Sequence, residues 1–380
     1  MIRIPLNECV CFQSSHSLEQ ELLHKGWYEV LRSGGISRDR EAFYRLIAPT
    51  FCSAVGFLRV LRFQGEEFHE EAFSMLLSLL GTFVAIAGLG VPQEPVSRQE
   101  SAQGITHAVL ATGADTFLLS AENKVVWTYP RNTRDGWVLP NGHILLIITR
   151  SNEFPGGGVV EVDQAGKTYF EYKGTQSEIA TAQPLPKGNI LINESGDKPR
   201  LLEVDRSGKI LKEIPLQCQT KDHHMQTRMA RKLKNWNYLV PHPLDLAVKE
   251  YTPEGKVVWE VHTSDWPFAV IREENGNTLI SCTRGNMIIE VDKEGKQIWQ
   301  VTNADLPGAP IHDACGASLL PNGHIVFTNY GAGGKDAIKL VEITREKQIV
   351  WKLYSGRDHG IHEFHILGSN LLPLRGKSLR

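Results

Sequence analysis

Short apolar stretches alternate with polar pairs and turn residues along most of the chain after about residue 105. Such alternation, bounded by Gly, Asp, Asn and Pro, is typical of β-strands joined by tight turns. One form recurs: an apolar strand, an acidic or polar pair, a turn, and a second apolar strand that in most copies begins after Lys. The copies are VVEVDQAGKTYFEY (159–172), LLEVDRSGKILKEI (201–214), VKEYTPEGKVVWEV (248–261), IIEVDKEGKQIWQV (288–301), LVEITREKQIVWKL (340–353) and a weaker FLLSAENKVVWTY (117–129).

The spacing of this hairpin indicates a β-propeller. The five strong copies begin 42, 47, 40 and 52 residues apart, near the roughly 40–50 residues of a four-stranded blade. A second repeated turn precedes each strong hairpin, between the innermost strand and the next. Its copies are LPNGHIL (139–145), LPKGNIL (185–191), LKNWNYL (233–239), EENGNTL (273–279) and LLPNGHIV (319–326).

The two ends of this region complete a ring. Residues 106–129 supply second-to-fourth strand material without the preceding turn, and residues 360–372 supply an innermost strand with no hairpin after it. Pairing the two makes a shared sixth blade and removes an exposed sheet edge. The sequence therefore predicts an all-β fold over 105–380: a six-bladed β-propeller of four-stranded antiparallel blades, closed by N- and C-terminal strands.

Two repeated positions have a structural explanation. The hairpin turn needs a left-handed residue, for which Gly is best and Asn next. A large side chain follows four residues later, and we expect it to pack between neighbouring blades rather than to form an aromatic ligand platform. The turn residues are Asn123, Gly166, Gly208, Gly255, Gly295 and Lys347, and the large side chains are Trp127, Phe170, Trp259, Trp299 and Trp351, with Lys212 as the exception.

The L-P-N-G and E-V-D-x-x-G-K-x-x-W patterns resemble PQQ-like propeller repeats. They resemble more closely the propeller of bacterial arylsulfotransferase-like proteins, over roughly residues 132–365. The resemblance implies the architecture and suggests group transfer through a channel histidine. Adjacent cysteines, as in quinoprotein dehydrogenases, are absent from the sequence, so PQQ is not expected as a cofactor.

The N-terminal hundred residues form a different region. Residues 75–91 (MLLSLLGTFVAIAGLGV) carry no charge and resemble a signal-peptide core or a signal-anchor helix; a buried helix is the alternative. We interpret 1–74 as an over-extended start or a helical segment and 92–104 as a linker. The propeller is then expected in the periplasm or outside the cell, free or tethered by the apolar helical leader.

Composition limits the partners. The formal net charge is −2, without a long Lys/Arg run, so a nucleic-acid partner is not expected. Membrane contact is expected only through the apolar segment, and the protein is expected to be a monomer. No C-x-x-C pair marks a zinc site.

Candidate chemistry is concentrated where the innermost strands begin, because those strands line the central channel. The histidines proposed as catalytic are His224, His312, His359 and His362. The proposed ligand-binding residues are Arg134, Trp137, His223, Arg228, Arg231, His242 and Trp266, and the second blade adds Gln176, Ser177 and Glu178.

Three hypotheses compete for this set. The first is a binding propeller whose channel mouth holds a small anion, a saccharide or a protein, with Trp137 and Trp266 stacking on a ring. The second is sulfuryl transfer on a neutral imidazole, with Arg228 holding the anion. The third is a divalent-metal site, with ligands from His224, His312, Asp313 and His362.

Each hypothesis places the ligand at the mouth nearest the starts of the inner strands. Replacing His224 and Arg228 by Ala is then expected to abolish ligand affinity and to leave the melting temperature almost unchanged.

Overall fold

The computed structural model describes residues 96–376 and 379–380. The predictions for residues 1–74 and 75–91 lie outside this part of the chain. None of the helices in the described part is long and apolar enough to span a membrane.

The described residues form an all-β, six-bladed propeller of antiparallel blades. Its first four strands are β1 (Arg98–Glu100), β2 (Ala108–Gly113), β3 (Thr116–Leu119) and β4 (Val125–Tyr129). Blade 1 contains β5 (Thr133–Val138), β6 (Ile144–Ile148), β7 (Gly158–Val162) and β8 (Thr168–Lys173). Blade 2 contains β9 (Glu178–Pro184), β10 (Ile190–Ser195), β11 (Arg200–Val204) and β12 (Ile210–Pro215).

The remaining blades follow in chain order. Blade 3 contains β13 (Arg231–Lys232), β14 (Tyr238–His242), β15 (Ala247–Tyr251) and β16 (Val257–His262). Blade 4 contains β17 (Pro267–Arg272), β18 (Thr278–Cys282), β19 (Met287–Val291) and β20 (Gln297–Thr302). Blade 5 contains β21 (Ala317–Leu319), β22 (Ile325–Thr328), β23 (Ile338–Ile343) and β24 (Ile349–Tyr354). The last strand is β25 (Ile361–Leu367). Short 3-10 turns lie at Pro186–Gly188 and His223–Met225.

The closing blade joins the two ends of the propeller, as predicted. Its strand order is β25-β2-β3-β4, with Ala108 opposite Leu367 and Leu110 opposite His365. Blade 5 carries one strand more than predicted, because β1 adds to its outer edge beside β24. The predicted linker 92–104 therefore contains part of a blade.

Turn chemistry has the predicted form. Gly166, Gly208, Gly255 and Gly295 have φ between 81° and 87°, and Asn123 and Lys347 occupy the left-handed region at 64° and 65°. The Asp163 carboxylate accepts the backbone N–H groups of Ala165 and Lys167, both at 2.9 Å. These bonds hold the loop that reverses the chain between the third and fourth strands.

The repeated aromatic position packs at the seams between blades. Trp351 and Phe170 are buried. The indole of Trp259 donates to the Lys293 carbonyl at 2.9 Å, and that of Trp299 donates to the Arg345 carbonyl at 3.0 Å. Both acceptors belong to the next blade, so these side chains join blades and do not form a ligand platform.

Candidate functional site

The innermost strands run along the channel from one mouth to the other. Their first residues line a cavity of about 400 Å³, here called the upper mouth, which includes Arg134, Arg228 and His362. A cavity of about 780 Å³, the lower mouth, lies at the other end of the channel and includes Trp137, near the end of β5, and Arg231, which begins the short β13. Residues three positions apart on one chain segment therefore face opposite ends of the channel.

A charged cluster lies at the upper mouth. Arg134 donates to both oxygens of Glu178 at 3.2 and 3.4 Å. Arg228 approaches the same carboxylate at 3.5 Å, and His224 Nδ1 donates to it at 3.0 Å. Burial alone raises the pKa of Glu178, but the His224 hydrogen bond and the two guanidinium charges outweigh burial and lower that pKa. One carboxylate thus faces two arginines.

Arg228 is the most deeply placed cation of the upper mouth. Its side chain is 2 % exposed. Nη1 donates to the Thr227 carbonyl at 2.8 Å, and the guanidinium lies 5.3 Å from the centre of the Phe268 ring. Within the described residues its Nε has no hydrogen-bond partner. Burial, followed by the charge of Arg134, lowers the pKa of Arg228 from 12.5 to about 10, so the side chain is cationic at neutral pH.

His362 is held as a neutral imidazole. Its Nδ1 donates to the Arg134 carbonyl at 2.8 Å, which leaves the lone pair on Nε2. Burial lowers its pKa well below the usual value, and the charges of Arg134 and Arg228 lower it further. A neutral imidazole with a free lone pair is able to act as a nucleophile or a base.

Aromatic side chains border the cavity. The ring centres of Phe268 and Tyr330 lie 5.3 and 5.2 Å from the ring centre of His362, and both pairs are arranged edge to face. Trp266 also lines the cavity, and the Arg284 guanidinium lies 4.3 Å from the centre of its ring. Tyr330 follows the second strand of blade 5 in a loop, and Arg284 lies in the loop after β18, so no strand periodicity marks either residue.

Two predicted ligand-binding residues lie at the other end of the channel. Trp137 and Arg231 line the lower mouth. Arg231 is buried beside Asp135, whose oxygen lies 3.4 Å from its Nη2. Their assignment to the same mouth as Arg134 and Arg228 is therefore corrected: each lies three residues further along its chain segment.

Four further predicted residues line neither cavity. His242 is completely buried inside blade 3, between the Cys218 thiol and the Tyr251 hydroxyl, and burial lowers its pKa from 6.5 to about 3. His223 bonds Ser177 at 2.7 Å and lies 3.2 Å from Asp197. His359 is 65 % exposed and pairs with Asp115, and His312 is exposed. Sequence position alone did not reveal these local partners.

The residues of the metal hypothesis do not form one ligand set. Among residues 96–376 and 379–380, no group of three or more His, Cys, Asp or Glu side chains is arranged to hold a metal ion. His224 and His362 instead face the arginine-rich upper mouth.

One solved structure of similar fold supports the architecture, and two others show weaker similarity. A protein of unknown function from Bacteroides caccae has a TM-score of 0.61 at 22% identity, covering 68% of this chain and 98% of its own. Virginiamycin B lyase from Staphylococcus aureus has a TM-score of 0.45 at 14% identity, and the match covers 68% of this chain and 98% of that one. A streptogramin B lyase structure has a TM-score of 0.47 at 16% identity, and the match covers 68% of this chain and 89% of that one. No family model and no curated protein matches the chain.

Proposed function

We propose that the upper mouth binds a small organic anion that carries a flat ring. The observation behind this proposal is the arrangement of cations: Arg134 and Arg228 share the carboxylate of Glu178, and among the described residues the Nε of Arg228 has no hydrogen-bond partner. Arg284 and Asp313 also line the cavity and balance each other in charge. An anionic group accepts charge-assisted hydrogen bonds from such donors. The cavity of about 400 Å³ falls within the roughly 300–1,000 Å³ range of small-molecule sites.

The field that would attract the anion also acts on His362. Arg134 and Arg228 both disfavour its protonated form, which is the effect expected of a positive potential inside the cavity. A bound sulfate, carboxylate or phosphate group would lie in that potential, and the ring of the ligand would contact Trp266 and Tyr330 at the rim.

Arg134→Gln tests the binding proposal with 4-nitrophenyl sulfate and 4-nitrophenyl phosphate as probes in calorimetric titrations. We expect at least a tenfold loss of affinity, because a charge-assisted bond contributes about 1.5–3 kcal/mol. Arg131→Gln is the matched control, since Arg131 pairs with Glu153 and lies outside the cavity. Equal affinities in both variants, or no binding by the unaltered protein, would refute the proposal.

A second candidate function is sulfuryl transfer, which the arylsulfotransferase-like repeat pattern also suggests. The observation that favours it is the tautomer of His362, which places a lone pair on Nε2 beside two arginines. Nε2 would attack the sulfur of an aryl sulfate, the S–O(aryl) bond would break, and the phenolate would leave and take a proton from solvent. A phenol acceptor would then lose its proton to solvent, attack the same sulfur and release the imidazole.

His362→Gln separates transfer from binding. If transfer occurs, the variant keeps affinity for 4-nitrophenyl sulfate within a few-fold but no longer releases 4-nitrophenol in the presence of phenol. Turnover that persists in the variant would exclude His362 as the nucleophile. If the unaltered protein shows no turnover, the transfer hypothesis is refuted and only the binding proposal remains. Elemental analysis of the same sample tests the metal hypothesis, which requires a stoichiometric divalent ion.

We further propose an extracytoplasmic location, on the basis of the uncharged segment at 75–91. Fractionation of cells that express the full chain tests it. Recovery with cytoplasmic markers would refute it.

A further inference from the structure

A guanidinium group fills the lower end of the channel. Arg380 Nη1 donates to the Gly136 carbonyl at 2.6 Å, and Nη2 donates to Asp135 at 2.8 Å. A Glu363 oxygen lies 3.6 Å from Nη2, and the guanidinium lies 4.1 Å from the centre of the Trp137 ring. The Arg380 side chain is only 3 % exposed, so its charge is matched inside the protein and not by solvent.

The backbone beside this side chain is held like a bound peptide. Leu379 exchanges two hydrogen bonds of 2.9 Å with Leu319 of β21, and Arg231 Nε donates to the main-chain oxygen of Arg380 at 3.0 Å. An extended segment that adds to a strand while a side chain enters a pocket is one of the recurring modes of peptide recognition.

The pocket is acidic. Asp135 and Glu363 are both buried, and Arg231 and Arg380 are the cations that lie beside them. Without Arg380, the buried Asp135 carboxylate would lose one of its two cationic partners, and a poorly compensated buried charge is unfavourable. Burial, followed by the charge of Asp135, raises the pKa of Glu363 to about 8 although Arg380 and Arg231 lower it, so Glu363 is largely protonated at neutral pH and the cations mainly stabilise the Asp135 carboxylate.

The contact made by Arg380 leaves hydrogen-bonding capacity unused. Within the described part of the chain, Glu363 Oε1 and Arg380 Nε have no hydrogen-bond partner although both atoms are buried. A guanidinium placed slightly closer to Glu363 would satisfy that oxygen. The pocket therefore offers a hydrogen-bond acceptor that Arg380 does not use.

We infer that Asp135, Glu363, the Trp137 ring and the Gly136 carbonyl form a guanidinium-binding site for an arginine side chain on an extended peptide. In this structure the site is occupied by Arg380 of the same chain. It is separate from the upper mouth and does not depend on the function proposed there.

Arg380→Gln in the full chain empties the site and allows a direct binding measurement. The probe is N-acetyl-leucyl-arginine amide, followed by calorimetry, and the matched control is the same peptide with citrulline, which has the shape of arginine without its charge. The variant should bind the arginine peptide at least tenfold more tightly than the citrulline peptide. The unaltered protein should bind neither at the same concentrations, because Arg380 competes.

Asp135→Asn in the Arg380→Gln background should abolish binding of the arginine peptide. A folded Arg380→Gln variant that binds neither peptide, or binds both equally, would overturn the inference. So would equal binding by the unaltered protein, because the peptide would then occupy another site.

A measurement on the unaltered protein covers the case in which Arg380→Gln does not fold. Excess arginine peptide should displace Arg380 and accelerate hydrogen exchange at the Leu379 amide, which the Leu319 carbonyl otherwise protects. The citrulline peptide should not. Unchanged exchange with saturating arginine peptide would refute the site.

Discussion

Glu342→Gln is expected to weaken the seam between blade 5 and the closing blade. Glu342 lies on β23, and its carboxylate is 1 % exposed. It bonds His324 Nδ1 of its own blade at 2.7 Å and His107 Nε2, just before β2, at 2.6 Å. Glu161, on blade 1, has the corresponding place between His143 of its own blade and Arg206 of the next. The repeated acidic residue thus joins successive blades.

The expected magnitude follows from the two hydrogen bonds. A bond to a charged group contributes about 1.5–3 kcal/mol to stability, and a neutral bond about 1 kcal/mol. Glutamine keeps the shape of the side chain and one acceptor, and each imidazole is able to change tautomer to meet it. The substitution therefore replaces two charge-assisted bonds by two neutral ones, at a cost of about 2 kcal/mol.

The cost should depend on pH in a defined direction. Burial raises the pKa of Glu342, but the bonds from His107 and His324 outweigh burial, so the folded-state pKa lies below 4.5. The carboxylate's contribution is then complete above about pH 4.5 and is lost as the pH falls through the folded-state value. The difference between variant and unaltered protein therefore shrinks as the pH falls through the folded-state pKa of Glu342.

Urea unfolding at pH 7, and at steps down to the lowest pH at which both proteins remain folded, measures this difference. Glu346→Gln is the matched control, because it removes the same charge from an exposed turn on the same hairpin. No loss of stability at pH 7, or a loss that Glu346→Gln reproduces, would refute the role of Glu342 at the seam. A difference that grows as the carboxylate is protonated would refute the linkage.

Three further changes should alter stability in the same urea assay. The unfolded chain protonates His242 below about pH 6.5, whereas the buried side chain stays neutral to about pH 3. The free energy of unfolding therefore falls as the pH is lowered from about 6.5 to about 3. His242→Gln should remove this pH dependence, which amounts to up to about 1.4 kcal/mol per pH unit; an unchanged dependence would contradict this. Trp351→Ala should lower the free energy of unfolding by about 3–5 kcal/mol because the side chain is fully buried. Trp259→Ala, at a partly buried position of another seam, should lower it less; equal losses in the two variants would contradict this. Gly166→Ala should cost about 1 kcal/mol from its φ of 86° alone, because a Cβ there meets nothing within 4 Å, and a neutral result would exclude that strain.

Local sequence predicted the architecture because each blade repeats the same short-range chemistry. The turn at Gly295 and the seam position at Trp299 lie four residues apart in one hairpin, and both recur from blade to blade. Strand pairing within a blade connects neighbouring segments, so periodicity and turn type suffice to specify it. The extra strand β1 escaped prediction because Arg98–Glu100 has only three residues and no repeated motif.

The candidate site followed from the sequence only in part. Polar residues at the starts of inner strands were recognised, and Arg134, His224, Arg228, Trp266 and His362 do share one cavity. Arg228, however, is buried among protein groups. Its replacement by Ala is therefore expected to lower the melting temperature, contrary to the expectation from sequence.

The tertiary structure alone decided which mouth each side chain faces and what lies beside it. A strand rises about 3.3 Å per residue, so Trp137 lies about 10 Å along the channel from Arg134, although the sequence places them together. Closure of the ring brings Arg380 to Asp135, 245 residues away in sequence. Repeats with similar turns specify blades, but they carry no information about which polar groups meet on the axis, because those contacts form between blades and across the channel.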